Sequence, residues 1–163
     1  MKKIFALLTI LFCMDSVSAQ ELNPVAHPDA VVNSGKARFT VLTPEMIRIQ
    51  YSDRALFEDR ATFAIVNRRL LVPAFTTEEK DGWLTITTDA LTLKYKKGGV
   101  IDGRHPSADV LSVSMSLNGR RVVWYPGKDD AMNLKGTTRT LDGQIGDNKR
   151  QEMENGLLSR AGW

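Results

Sequence analysis

The side chains able to do chemistry in this chain are few, and they form no complete catalytic pattern. His27 and His105 are its two histidines. A zinc or copper site needs three or four such ligands. Both histidines sit in proline-adjacent loops far apart in sequence, so both are expected to be solvated. Gly127-Lys128 ends like a phosphate-binding loop, but the earlier glycine spacing and a Ser/Thr after the lysine are absent. Asp129-Asp130 lacks the alternating oxygen ligands and the glycine of a calcium loop, and there is no G-x-S-x-G nucleophile elbow. Carboxylate pairs are the remaining possibility, because glycoside hydrolysis places two of them across the scissile bond. Glu58-Asp59, Glu78-Glu79, Asp129-Asp130 and the single Asp142 are available. Neighbours on a strand point to opposite faces, so these pairs read as solvated surface charge. No catalytic residue, metal ligand or cofactor is assigned.

Aromatic rings offer a different chemistry, since an exposed indole or phenol presents a flat apolar face to a pyranose ring. Trp83, Trp124, Tyr125 and Trp163 are the candidates. Trp83 and Trp124 occupy strand positions and are expected to fill a core. Tyr125-Pro126 lies at a strand exit and is expected to be partly exposed. The stretch Asn118 to Gly143 concentrates aromatic, acidic and basic residues more densely than any other.

The elements that must position these residues are strands. Phe39 and Val41 alternate with Arg38 and Thr40, and Ile47, Ile49 and Tyr51 alternate with Arg48 and Gln50, across a turn at Thr43-Pro44-Glu45. This predicts an antiparallel pair. In the next segment DRALFEDR (53–60) has the composition of a short helical turn and ATFAIVN (61–67) that of a strand. Pro73 demotes the stretch after it to an edge or a loop. Trp83 to Thr88 and Leu91 to Tyr95 form a second pair. Leu111, Val113, Met115 and Leu117 alternate with serines, and Asn118-Gly119 then gives a strong hairpin signal before a return strand over Arg120 to Trp124. No apolar period of 3.6 persists over ten residues. Seven or eight short strands predict an all-β fold, an antiparallel β-sandwich.

The chain opens on a segment of another kind. Lys2 and Lys3 precede the apolar run Ile4 to Met14, and Ser16-Val17-Ser18-Ala19 supplies small residues for cleavage after Ala19. Residues 1–19 therefore read as a signal peptide, too short for a bilayer span of roughly 20 apolar residues. The expected location is exported, periplasmic or extracellular, with no transmembrane segment after cleavage. Removing residues 1–19 leaves 144 of the 163 residues, enough for one domain with its own core. Residues 20–35, polar and containing Pro24 and Pro28, read as a loosely held lead-in and 36–163 as the sandwich. Cys13 is the single cysteine and leaves with the signal, so no disulfide is available. The net charge of +3 has its signs interspersed, which excludes the clustered basic face of a nucleic-acid binder.

Several stretches together resemble the N-terminal domain of glycoside hydrolase family 31, the α-glucosidase and α-xylosidase family. They are ARFTVLTPEMIRIQYS (37–52), FEDRATFAIVNRR (57–69), LTLKYKKG (91–98), LSVSMSLNGRRVVWYPGKDDAMNLKGTTRTLDG (111–143) and GLLSRAGW (156–163). RTLD followed by GLLSRAGW is the most specific part. The resemblance implies a sandwich of the galactose-mutarotase-like type packed on a (β/α)₈ barrel. That barrel carries two catalytic aspartates for retaining hydrolysis, and neither it nor its motifs occur before Trp163. The expected ligand, an α-glycoside oligosaccharide, would reach this protein through the barrel. By resemblance, Asn133 to Asp142 is the segment to wall the substrate pocket, with Arg139 and Asp142 as substrate contacts or as braces, and Tyr125 beside them. Two readings from other classes stand next to this one. The chain is a stand-alone carbohydrate-binding sandwich using Tyr125 or Trp163, or it is a structural and interaction domain.

Overall fold

The structure, a computed structural model, describes residues 22–103, 105–136 and 153–163. The segment 1–19, read above as a signal peptide, and Arg139 and Asp142, expected as pocket-wall residues, lie outside the described residues. Among the described residues, eight strands form two antiparallel sheets. β1 (Val31–Ser34), β2 (Ala37–Thr43) and β3 (Met46–Tyr51) make a sheet of order β1-β2-β3. β4 (Phe75–Lys80), β5 (Trp83–Thr88), β6 (Leu91–Lys96), β7 (Leu111–Leu117) and β8 (Arg120–Trp124) make a five-stranded meander in sequence order. The fold is thus the expected all-β, sandwich-like one. Among the described residues no helix is long and apolar enough to cross a membrane.

Period-two patterning decides which face each sheet buries. Ala37, Phe39 and Val41 of β2 meet Leu84, Ile86, Leu93, Tyr95, Leu111 and Val113 of the larger sheet in one core cluster. Trp124 and Met115 pack partly buried against it. The joint is the ring pair Phe39–Tyr95, with centroids 5.2 Å apart and planes tilted by 56°. Tyr95 is fully buried and donates its hydroxyl to the carbonyl oxygen of Gly99 at 2.8 Å. That burial, with the neighbouring Tyr51, pushes its phenol above the ordinary tyrosine value. A second tie is Thr88, whose hydroxyl donates to the Pro44 carbonyl at 2.6 Å and so links the end of β5 to the β2–β3 turn.

Turn chemistry sets the registers. Asn118 and Gly119 have φ of 51° and 74°, the left-handed pair that a two-residue hairpin demands, and Leu117 pairs with Arg120 directly. Asp81-Gly82 repeats the device between β4 and β5, with φ of 51° and 80°.

Three local expectations are corrected. The lead-in is ordered from Asn23: its carbonyl accepts from the backbone amides of Arg68 and Arg69, and Val31–Ser34 forms an edge strand. DRALFEDR contains no helix, and Ala55 sits at a positive φ of 54°. ATFAIVN forms no strand. Its Thr62 and Ile65 instead exchange backbone hydrogen bonds with one another, and Phe63 and Val66 are exposed. The reason is Arg68, whose side chain is 1% exposed. Its guanidinium donates to the carbonyls of Pro24, Asp59 and Arg60 and to Thr62 Oγ1, which curls the segment around it. The curl lies on the outer side of the smaller sheet, where Arg38 meets Asp59 and where Arg48 and Gln50 donate to the Glu58 carbonyl.

Candidate functional site

The most elaborate non-strand structure follows β8, in the stretch where the varied side chains concentrate. Tyr125 emerges half-buried from the strand, and its carbonyl accepts from the Lys128 amide at 3.2 Å, closing a turn over Pro126 and Gly127. Gly127 is obligatory. Its φ is +73°, and a Cβ would lie 2.4 Å from the carbonyl carbon of His105. Lys128 then folds back so that its ammonium donates to the Val123 carbonyl. It stands 5.8 Å from the ring centroids of both Tyr125 and Trp163, within cation–π range. The two rings proposed as sugar platforms thus meet around one lysine, although 38 positions separate them in the chain.

A returning arm makes that meeting possible. Asn133 bridges to Ser159 in antiparallel fashion; the Leu134 amide donates to the Leu158 carbonyl at 2.9 Å, and the Arg160 amide to the Met132 carbonyl at 2.9 Å. The Asn133 side chain clamps Gly156 from both sides, accepting from its amide and donating to its carbonyl. Asp130 anchors the base of the arm. Its Oδ1 accepts from Ser159 Oγ at 3.2 Å and from the Met132 amide at 3.0 Å, while its Oδ2 is buried without a partner. Asp130 is therefore a buried brace, which corrects its reading as solvated charge; its neighbour Asp129 is exposed. Nothing in the local spacing points to this, because the partner is 29 residues away. Asp130→Ala is expected to cost about 1–3 kcal/mol, the range for stripping a charged acceptor from buried donors. Limited proteolysis should then cut within 153–163 well before the sandwich.

The other sequence candidates are dispersed. Trp83 does not join the core, which corrects the expectation for it. In β5 the buried residues are Leu84, Ile86 and Thr88, so Trp83 shares the outer face with Thr85 and Thr87. It stands opposite Lys80 on one side and Lys96 on the other. With Glu78, Thr85, Lys94 and Ser112 it borders a shallow depression of about 380 Å³ on the outer face of the five-stranded sheet. Trp124 meets the expectation in part, being half-buried against the core. His27 accepts from the Asp29 amide through Nδ1, and His105 Nδ1 lies 2.9 Å from Asp102. No group of three or more metal-ligating side chains occurs among the described residues. The carboxylate pairs do not converge on one site, and their members go to separate partners. Glu58 pairs with Arg60, Asp59 with Arg38, and Glu79 with Lys97.

Compared with known proteins, the chain matches no family model and no curated protein.

Proposed function

We propose that this chain is a non-catalytic β-sandwich of an exported α-glycosidase related to glycoside hydrolase family 31, supporting a (β/α)₈ barrel and shaping its pocket for an α-glycoside oligosaccharide. One observation carries the reading. Residues 130–134 and 156–160, which belong to two of the stretches that carry the resemblance, meet in space through the Asn133–Ser159 bridge and the Asp130 brace. In this reading Asn133 to Asp142 walls the substrate pocket, with Arg139 and Asp142 as substrate contacts or as braces. The paired arm also presents Met132, Leu134, Met153, Leu157 and Leu158 to solvent, with Leu157 97% exposed. Exposed apolar side chains concentrated in one short arm are the composition of a docking face. The purified chain is expected to hydrolyse neither aryl α-glucosides nor aryl α-xylosides. It should self-associate in sedimentation at high concentration, and Leu157→Ser with Leu158→Ser should return it to a monomer. Robust turnover, or an unsubstituted chain that stays monomeric, would falsify the reading.

A second reading, a carbohydrate-binding module, draws its support from Trp83. A tryptophan on the outer face of a sheet, ringed by threonine, serine, lysine and glutamate, combines a stacking surface with hydroxyl-binding groups. Calorimetric titration with α-glucan oligosaccharides separates the two. Binding abolished by Trp83→Ala favours the module, whereas no binding to any oligosaccharide removes it.

A further inference from the structure

The outer side of the smaller sheet holds more positive charge than it neutralises. Arg38 and Arg48 project from β2 and β3 on the face opposite Phe39 and Ile49, and Arg68 closes the space from above. Arg38 is neutralised by Asp59, at 2.5 and 3.1 Å, and Arg60 by Glu58, at 2.5 and 2.8 Å. The latter pair holds the Glu58 carboxyl down at about 2 through the Arg60 hydrogen bonds, so Glu58 is ionised at neutral pH and, like Asp59, already engaged by an arginine. Arg48 and Arg68 are left with neutral acceptors alone. Arg48 donates to Gln50 Oε1 and the Glu58 carbonyl; Arg68 donates to three backbone carbonyls and Thr62 Oγ1. The Nε–H of Arg68 is sealed from solvent and has no acceptor. Four guanidinium groups thus face two carboxylates. The other titratable pair on the covering segment, His27 and Asp29, is exposed and self-contained at 3.6 Å.

Burying uncompensated charge is costly unless something supplies the counter-charge. The Arg48 guanidinium is held below its ordinary value by burial first and then by Arg68 and Arg38, with Asp59 and Glu58 opposing the shift. Beside these side chains lies a cavity of about 270 Å³, walled by Arg38, Arg48 and Arg68 and, on the other side, by Val25, Pro28 and Val31. At about 30 Å³ per water, that volume admits a small solute rather than a single ion. Arginine is the side chain best suited to it, since its planar fork matches a carboxylate, sulfate or phosphate group.

We propose that this cavity is an oxyanion-binding site for a small solute, the anionic group meeting Arg48 and the field of Arg68, and the body of the molecule resting on Val25, Pro28 and Val31. It lies away from the Tyr125–Trp163 arm and does not depend on the glycosidase reading. Occupancy would join the 22–30 lead-in to the 57–69 loop, and the site is formed only where both lie on the sheet.

The test is isothermal titration of the purified chain with inorganic phosphate, sulfate and glucuronate, with glucose as the neutral control, at constant ionic strength. Heat of binding is the readout because sulfate and phosphate raise melting points by exclusion from protein surfaces alone. Saturable binding of at least one anion, none of glucose, and a loss of about tenfold or more in Arg48→Gln are expected, as for a charge-assisted contact. Glucuronate binding tighter than both inorganic ions assigns the group to an acidic sugar; equal binding assigns it to a free anion. Asn33→Asp guards against a folding artefact. Asn33 lines the cavity and pairs with Arg38 across the sheet, so a carboxylate there supplies the counter-charge internally. That variant should melt higher without ligand and lose the anion response. Binding by none of the three anions, or binding unchanged in both variants, overturns the site.

Discussion

Phe39→Ala is expected to destabilise the protein by about 3–5 kcal/mol, the range for removing a fully buried aromatic side chain. A further ~0.5–1.5 kcal/mol comes from the lost ring pair. Phe39 has no exposed surface and is the largest fully buried side chain that the three-stranded sheet contributes to the common core. Its ring meets Tyr95 of the five-stranded sheet at 5.2 Å. The damage should therefore be unequal. The five-stranded meander keeps its own ladders from β4 to β8, whereas the β1-β2-β3 sheet loses its main anchor. Urea titration should show a lowered midpoint, and hydrogen exchange should accelerate over 31–51 before 83–117. A uniform loss of protection in both sheets would show that the two fold as one inseparable unit and that the joint is shared more widely.

Arg68→Met is the second large effect, and it acts through hydrogen bonds rather than volume. Methionine fills much of the space but donates nothing, so the Pro24, Asp59 and Arg60 carbonyls each lose a buried donor. With about 1–3 kcal/mol for each stranded acceptor, a total on the order of 3–5 kcal/mol is expected once partial rehydration is counted. Arg68→Lys should recover only part of it, because one ammonium cannot span the carbonyls that the guanidinium fork reaches. The readout is local: proteolysis and hydrogen exchange at 22–30 and 57–69 should rise, with β4 to β8 unaffected. Full stability in Arg68→Met would mean that the loop is held by the Arg38–Asp59 pair instead.

Much of the scaffold was legible from pattern. The serine alternation of β7, the Asn118-Gly119 turn and the paired periods of β2 and β3 each express a local rule, and each appears where that rule puts it. β4 was half legible: Pro73 leaves the stretch after it an edge or a loop, and an edge strand with five exposed residues, TTEEK, has no buried face to decide between them. ATFAIVN misled in the opposite direction. Its composition favours a strand, but a buried guanidinium bonds Thr62 Oγ1 and the Asp59 and Arg60 carbonyls just before the segment, and so holds the chain in a curl.

The candidate sites divide the same way. Tyr125 is recognisable from its place at a strand exit, because burial there depends on chain direction alone. Trp83 is not, since a one-residue change of phase sends a strand residue to the other face and its alternating neighbours Thr85 and Thr87 are as β-prone as core residues. By itself the sequence determined the all-β class, most strand positions and the hairpin turns, because these follow from period-two burial and from the few residues that accept a positive φ. Only the tertiary structure decided that Trp163 reaches Tyr125 and Lys128, that Asp130 braces Ser159, and that Arg48 and Arg68 share one cavity. Those meetings join residues 20 to 38 positions apart, and no local propensity encodes the path of the chain between them.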